Sequence, residues 1–253
     1  MCTLTIFHHN NEVIITMNRD EQRNRPETQN LYITNEHCFP VDQKSQGTWF
    51  GLNNHGITIA LLNRYQEQHL GTVAHSRGHI IPTLLPCTDI PSIEKTLRNG
   101  FTIKNINPFD CIAVSREQIL HASWDGQTLD ITQKELNKPF FISSSSERLS
   151  EVVAYRQNVF NNFIKSPSRS EKTILHDLHM KEDESDSSSA IMMARPKTHT
   201  KSITQTILTS NETTLTYWPE HTLNAGVTER LPIAHSFTLN ETDQTIRAAK
   251  YEI

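Results

Sequence analysis

Strand signals dominate the first third of the chain, where short runs of β-branched and aromatic residues are parted by polar turns. Residues 2–9 and 12–18 are β-branched and aromatic runs split by Asn10-Asn11, a pair that tolerates the positive φ of a tight hairpin. Residues 19–45 are polar and carry Pro26 and Pro40, which predicts a long excursion over the surface. Thr48 to Leu52 and Ile57 to Leu62 read as a second hairpin around Asn53-Asn54-His55-Gly56. Helical signals follow at about 76–86 and 91–98, the second stopped by Asn99-Gly100. Strand patterns return at 109–114, 118–123, 128–132 and 140–143. Residues 147–164 set Leu149, Val152, Val153, Val159, Phe160, Phe163 and Ile164 along one helical face, and a shorter helix follows near 170–179. Lys181 to Ser189 reads as a solvated, mobile loop, and strands at about 202–209, 213–218 and 234–240 close the pattern.

The order of strands, two helices, strands, two helices, strands predicts an α+β fold. Its form is a four-layer αββα sandwich, two antiparallel sheets packed face to face with helices outside. No repeat or linker interrupts residues 1–253, so the pattern predicts one domain over that span.

Composition narrows the function. Lys plus Arg number 24 against 28 Asp plus Glu, a net charge of −4, so no basic excess is available to hold a nucleic acid. No apolar run approaches the ~20 residues of a membrane span, and the first residues lack a secretory or transit pattern. The four cysteines, Cys2, Cys38, Cys87 and Cys111, are scattered without a CxxC, as suits a reducing compartment. These features predict a cytoplasmic chain, in which the sequons at Asn211 and Asn240 carry no weight. The glycines form no dinucleotide or P-loop motif, and GxSxG and HExxH are absent, so no cofactor is indicated. Among 13 histidines, His75 and His79 stand at i, i+4 but no third ligand follows at zinc-like spacing. His8 and His9 point to opposite strand faces. No metal site is expected.

Cys2 is the candidate nucleophile. Removal of Met1 leaves thiol and α-amine on one residue, and an amine of unperturbed pKa about 7.7–8.0 serves as base for its own thiol. A Met-Cys start alone is a common accident. Asn18-Arg19-Asp20-Glu21 adds weight, because the first hairpin returns this end of the second strand to Cys2. Arg19 there can hold a thiolate, and a carboxylate of Asp20 or Glu21 can hold the ammonium. Alternation sets a condition: Arg19 and Asp20 point opposite ways unless the strand ends or bulges. Cys2 is then expected to be the most acidic thiol of the four, while Cys111 lies masked in an apolar strand.

Met1-Cys2 followed by Asn18-Arg19-Asp20-Glu21 resembles the signature of the NRDE family, which includes the transport and Golgi organisation 2 proteins. Gly47-Thr48-Trp49-Phe50-Gly51-Leu52 and Ala60-Leu61-Leu62-Asn63 look like its Gly-Thr-Trp-x-Gly and Ala-Leu-x-Asn elements. Arg77-Gly78 fits the Arg-Gly that opens its next helix. The likeness is specific over residues 2–86. In outline the family is similar to cysteine N-terminal nucleophile acylases such as penicillin V and bile-salt hydrolases. The resemblance implies Cys2 as nucleophile, Arg19 as its charge partner and Asn63 as oxyanion donor, with Asp20 beside them and Asn18, Glu21 and Ser144 as binding residues. The acylases carry Arg-Asn-x-Asp where this chain has Asn-Arg-Asp-Glu. Their second asparagine falls at Ser144, although Ser144-x-x-Glu147 also reads as a capping box, the reading the residues favour. Their late arginine has no match beyond Lys201. Trp49 is expected in the core. The implied activity is cysteine-dependent hydrolysis of an amide or ester in a small acylated metabolite. The alternative carried by the same resemblance is a non-catalytic binding or trafficking protein for haem or an acylated, lipid-like ligand. Either way the partner is a small-molecule substrate or a hydrophobic ligand, and the oligomeric state leaves no signal.

Overall fold

Asn10 and Asn11 take positive φ, 51° and 64°, and so turn the chain back within two residues. They join strand β1 (Cys2–His9) to β2 (Glu12–Gln22) in an antiparallel pair that sets Cys2 opposite Arg19. The computed structural model describes residues 1–66, 76–99, 106–166, 169–224 and 232–239. Three further strands extend the β1–β2 pair on one side: β11 (Thr198–Leu208), β12 (Glu212–Trp218) and β13 (Ile233–Thr238). With β10 (Phe140–Ser144) on the other side of β1, the order of this first sheet is β10-β1-β2-β11-β12-β13.

The second sheet runs in sequence order: β3 (Glu27–Ile33), β4 (His37–Asp42), β5 (Phe50–Asn53), β6 (Thr58–Asn63), β7 (Phe109–Val114), β8 (Ile119–Trp124) and β9 (Leu129–Lys134). Period-2 alternation divides each strand between two cores. Leu4, Ile6, Ile15 and Met17 meet Phe50, Leu52, Ala60 and Leu62 between the sheets. Ile59, Leu61 and Phe109 turn the other way, against α1 (Ile80–Leu84) and α2 (Ile90–Asn99). Phe7 and Ile14 pack outward on Phe160 of α3 (Leu149–Phe163), with Phe7 and Phe160 centroids 5.8 Å apart. The layers are therefore helix, sheet, sheet, helix, as the element order predicts. α4 (Glu171–Ile174) runs into a π-helical turn, Leu175–His179, which joins the layer of α3, and α5 (Glu220–Asn224) lies near β11 and β12.

Three expectations need correction. The polar stretch 19–45 is not an excursion: β2 continues to Gln22, and β3 and β4 form one edge of the second sheet. Pro40 is tolerated because β4 pairs with β5 only at His37 and Cys38, leaving its later N–H positions free of that ladder. The loop 181–189 is tethered at its end: Ser189 is buried, and its carbonyl accepts from Arg156 Nε at 3.1 Å. Ser144 does not cap α3. That helix starts after Arg148, which has φ 45° and no side-chain cap, while Ser145 takes the local bond by donating to the Glu147 carbonyl at 2.6 Å. His75, Gly100 and Asn240 lie outside the described residues.

The layer between the first sheet and α3 contains polar groups that must be satisfied. His179 Nδ1–H donates to Asn18 Oδ1 at 2.5 Å, and Thr5 Oγ1 donates to Nε2 of the neutral ring at 2.7 Å. Asn18 Nδ2 donates to the carbonyls of His179 at 2.9 Å and Ile191 at 3.1 Å. Burial pushes His179 down to about 3, so the folded protein keeps it neutral. The unfolded chain protonates it near 6.5, so stability is full above that pH and is lost as pH falls toward 3. Lowering pH from 7 to 5 should cost about 2 kcal/mol through this residue alone. Urea unfolding of the natural chain and of His179→Gln checks this: the fall in midpoint between the two pH values should be clearly smaller in the variant.

Candidate active site

Met1 and Asp20 exchange backbone hydrogen bonds, Asp20 N donating to Met1 O at 2.9 Å and the Met1 amine to Asp20 O at 3.0 Å. Cys2 and Arg19 are therefore a non-hydrogen-bonded pair, the kind in which facing Cα atoms approach to about 4.5 Å and side chains crowd together. Both side chains point between the sheets, toward a cavity of about 140 Å³. Met1, Glu21, Arg25, Asp42, Thr48, Trp49, Asn63, Ser76 and Arg77 contribute to its wall.

Arg19 is the electrostatic centre. Its Nη1 donates to Glu27 Oε2 at 2.9 Å and its Nη2 to Asp42 Oδ2 at 2.5 Å, while the guanidinium lies 4.2 Å from the Trp49 ring centroid. Arg25 Nε reaches the same Asp42 oxygen at 2.6 Å. Burial pushes the Asp42 carboxyl up, but the bonds from Arg25 and the Ser45 N–H and the charge of Arg19 outweigh it and hold Asp42 below its usual range. At Glu27 burial wins, and the carboxyl is pushed up despite Arg19. Trp49 is buried, as expected, and also faces the cavity.

Asp20 obeys the alternation rule. β2 runs straight past β1, and the irregularity lies on β11 between Thr200 and Ser202. The Asp20 carboxylate consequently faces the α3 layer, where it accepts from Arg156 Nη2 at 2.9 Å and Thr200 Oγ1 at 2.7 Å. The group beside the Met1 amine is the Asp20 backbone carbonyl rather than a carboxylate. Glu21 stays at the cavity, 3.7 Å from Arg19 and 3.8 Å from Arg25. Asn18 belongs with His179, outside the cavity. Lys201 is drawn away to Glu220 Oε2 at 2.6 Å.

Cys2 N donates to Ser144 Oγ at 3.2 Å, so Ser144 meets the nitrogen that becomes the α-amine once Met1 is gone. Asn63, at the end of β6, lines the cavity with its Nδ2 donating to Tyr65 Oη at 3.2 Å. Met1 fills a socket: Ser146 Oγ donates to its sulfur at 3.2 Å and Arg195 Nη1 at 3.4 Å. Burial opposes the charge on the Met1 amine, yet Tyr65, Cys2, Asp20 and Glu21 together raise it to about 10. With Met1 in place the Cys2 thiol is pushed up, because burial exceeds the help from the Met1 ammonium and Arg19. Cys38 and Cys111 are each pushed by burial to about 12.

Glu27, Asp42 and Arg156 were not legible as site residues. No local pattern marks them; the signal was the need of a buried guanidinium or carboxylate for an opposite charge. Among the described residues no three His, Cys, Asp or Glu side chains gather as a metal would require. No helix there is long and apolar enough to cross a membrane.

Two solved structures share this arrangement of two antiparallel sheets between helices. Penicillin V acylase from Agrobacterium tumefaciens superposes with a TM-score of 0.50 at 11% identity, over 87% of this chain and 83% of that one. The C2A mutant of conjugated bile acid hydrolase from Clostridium perfringens matches with a TM-score of 0.50 at 9% identity, over 95% of this chain and 93% of that one. No curated protein matches by sequence. The model of the family described as transport and Golgi organisation 2 matches residues 1–224, and the chain belongs to that family.

The buried Asp20–Arg156 pair generates a prediction. Removing one partner of such a pair leaves an uncompensated charge and costs about 3–5 kcal/mol. Asp20→Ala should lower the unfolding free energy by that amount in urea titrations, and Arg156→Ala should do the same. In the double variant the loss should be well short of additive.

Proposed function

We propose that the protein is a cysteine amidohydrolase that uses Cys2 as its nucleophile after Met1 is removed, acting on a small acylated metabolite. The observation that carries the reading is the placement of the Cys2 thiol in a polar cavity shared with Arg19 and Asn63, with its own nitrogen on Ser144 Oγ at 3.2 Å. In this reading the free α-amine of Cys2 takes the thiol proton as Sγ bonds to the substrate carbonyl carbon. The carbonyl oxygen becomes an oxyanion, and Asn63 Nδ2 turns from Tyr65 to donate to it, an interaction worth ~3 kcal/mol in comparable sites. Collapse breaks the C–N bond, and the amine proton passes to the leaving nitrogen. Water then attacks the thioester, giving up a proton to the α-amine; the acid leaves, and Sγ recovers its proton. Ser144 orients the amine, while Arg19, held by Glu27 and Asp42, supplies fixed positive charge beside the sulfur. Asp20 acts through position, its grip on Arg156 securing the strand end.

A Met1 side chain held by Ser146 and Arg195 beside a buried Cys2 favours a second reading, a non-catalytic protein that binds an acylated ligand in the same cavity. A volume of about 140 Å³ suits a short acyl group rather than haem, since drug-sized ligands occupy ~300–1,000 Å³.

Intact mass and peptide mapping separate the two readings. Purified protein should lack Met1, and incubation with an activated butyryl thioester should add one butyryl group on Cys2, absent from Cys2→Ala. Retained Met1 with no adduct, alongside saturable binding that survives Cys2→Ala, selects the binding protein. In the catalytic case Asn63→Ala should lower kcat by roughly 10²–10³-fold with little change in KM.

A further inference from the structure

The three arginines in the cavity wall are not equivalent. Arg19 is held by Glu27 and Asp42, and Arg25 by Asp42, with Glu21 lying 3.7 Å and 3.8 Å from the two guanidinium groups. Arg77 has no carboxylate partner among the described residues. Its Nη1 donates to the Pro108 carbonyl at 2.9 Å, and among the described residues no further acceptor meets its remaining N–H groups. Its position is fixed by backbone. Thr48 N donates to Gly78 O at 3.0 Å, and a Cβ on Gly47 would fall 2.6 Å from the Gly78 carbonyl carbon. The Ser76-Arg77-Gly78 corner is thereby held against Gly47-Thr48, on the wall that also carries Cys2, Trp49 and Asn63. Arg77 is half-buried, and that burial pushes its guanidinium down from its ordinary value.

We propose that Arg77 binds the anionic end of the substrate, a carboxylate or phosphate, and so selects acidic acyl conjugates over neutral ones. A planar guanidinium with free N–H groups suits a two-point bond to either oxyanion. The proposal rests on the hydrolase reading only in calling the bound anion a substrate. Acyl transfer at Cys2 plays no part in recognition by Arg77, so equilibrium binding to Cys2→Ala tests it without catalysis.

Three probes share a butyramide group: N-butyrylglycine carries a carboxylate, N-butyryl-O-phosphoethanolamine a phosphate, and N-butyrylglycinamide no charge. Calorimetry on the full chain bearing Cys2→Ala should find at least one anionic probe bound about tenfold or more tightly than the neutral one. Whichever anion is preferred identifies the group. Adding Arg77→Gln should abolish the preference while neutral-probe affinity stays within about twofold, and Arg77→Lys should retain part of it. Melting curves of each variant establish that it is folded. Equal affinity for charged and neutral probes, a preference that survives Arg77→Gln, or no binding of either anion overturns the proposal. Failure of Cys2 to acylate, with the Arg77-dependent preference intact, leaves the proposal standing as anion recognition by a binding protein.

Discussion

The burial of Arg19 between the two sheets constrains everything around the cavity. A guanidinium taken out of water costs several kcal/mol unless carboxylates meet it with good geometry. Here Glu27 and Asp42 do so from the ends of β3 and β4, and Trp49 offers its ring face at 4.2 Å. Because the arginine comes from one sheet and its partners from the other, the charge cluster ties the sheets together at the end where Cys2 lies. It also gives the polar segment after β2 a reason to fold back as strands, since its two buried acids have a cation to satisfy.

Strand alternation divides the Asn-Arg-Asp-Glu run between two layers. Arg19 faces the cavity, whereas Asn18 and Asp20 face α3 and the π-helical turn. On that side Arg156, wholly buried, joins Asp20 at 2.9 Å to Thr3 Oγ1 at 2.8 Å, and thus links β1, β2 and α3. Four consecutive polar residues therefore serve as a hinge pin for the first strand as well as a wall of the cavity. The position of the Cys2 sulfur depends on both networks.

The cavity balances burial against charge. Burial alone raises a thiol, and the Arg19 charge that would lower it is already shared with two carboxylates. The Met1 side chain occupies space beside the thiol and is held by Ser146 and Arg195. Its removal would open that space, place a titratable amine on Ser144 and leave Arg77 as the cation facing the cavity without an acidic partner among the described residues.

Most of the element order was legible in the sequence, because alternation and helical periodicity are local properties set by which faces must leave water. Asn10-Asn11 specified the first hairpin, and with it the pairing of Cys2 with Arg19, from two residues with positive φ. The layers followed from element order. What the sequence left open depends on partners distant along the chain. Pro26, Pro40 and scattered charge made residues 19–45 look like surface, because nothing nearby announces that Glu27 and Asp42 answer a buried arginine. Ser144 read as a cap, and only the docking of β10 against β1 turned it to the Cys2 nitrogen. Asp20 was brought close in sequence and turned away in space by the pleat once β2 ran on unbroken. Local pattern decides which residues form a strand, whereas the face a side chain uses and the charge it meets are decided when sheets and helices pack.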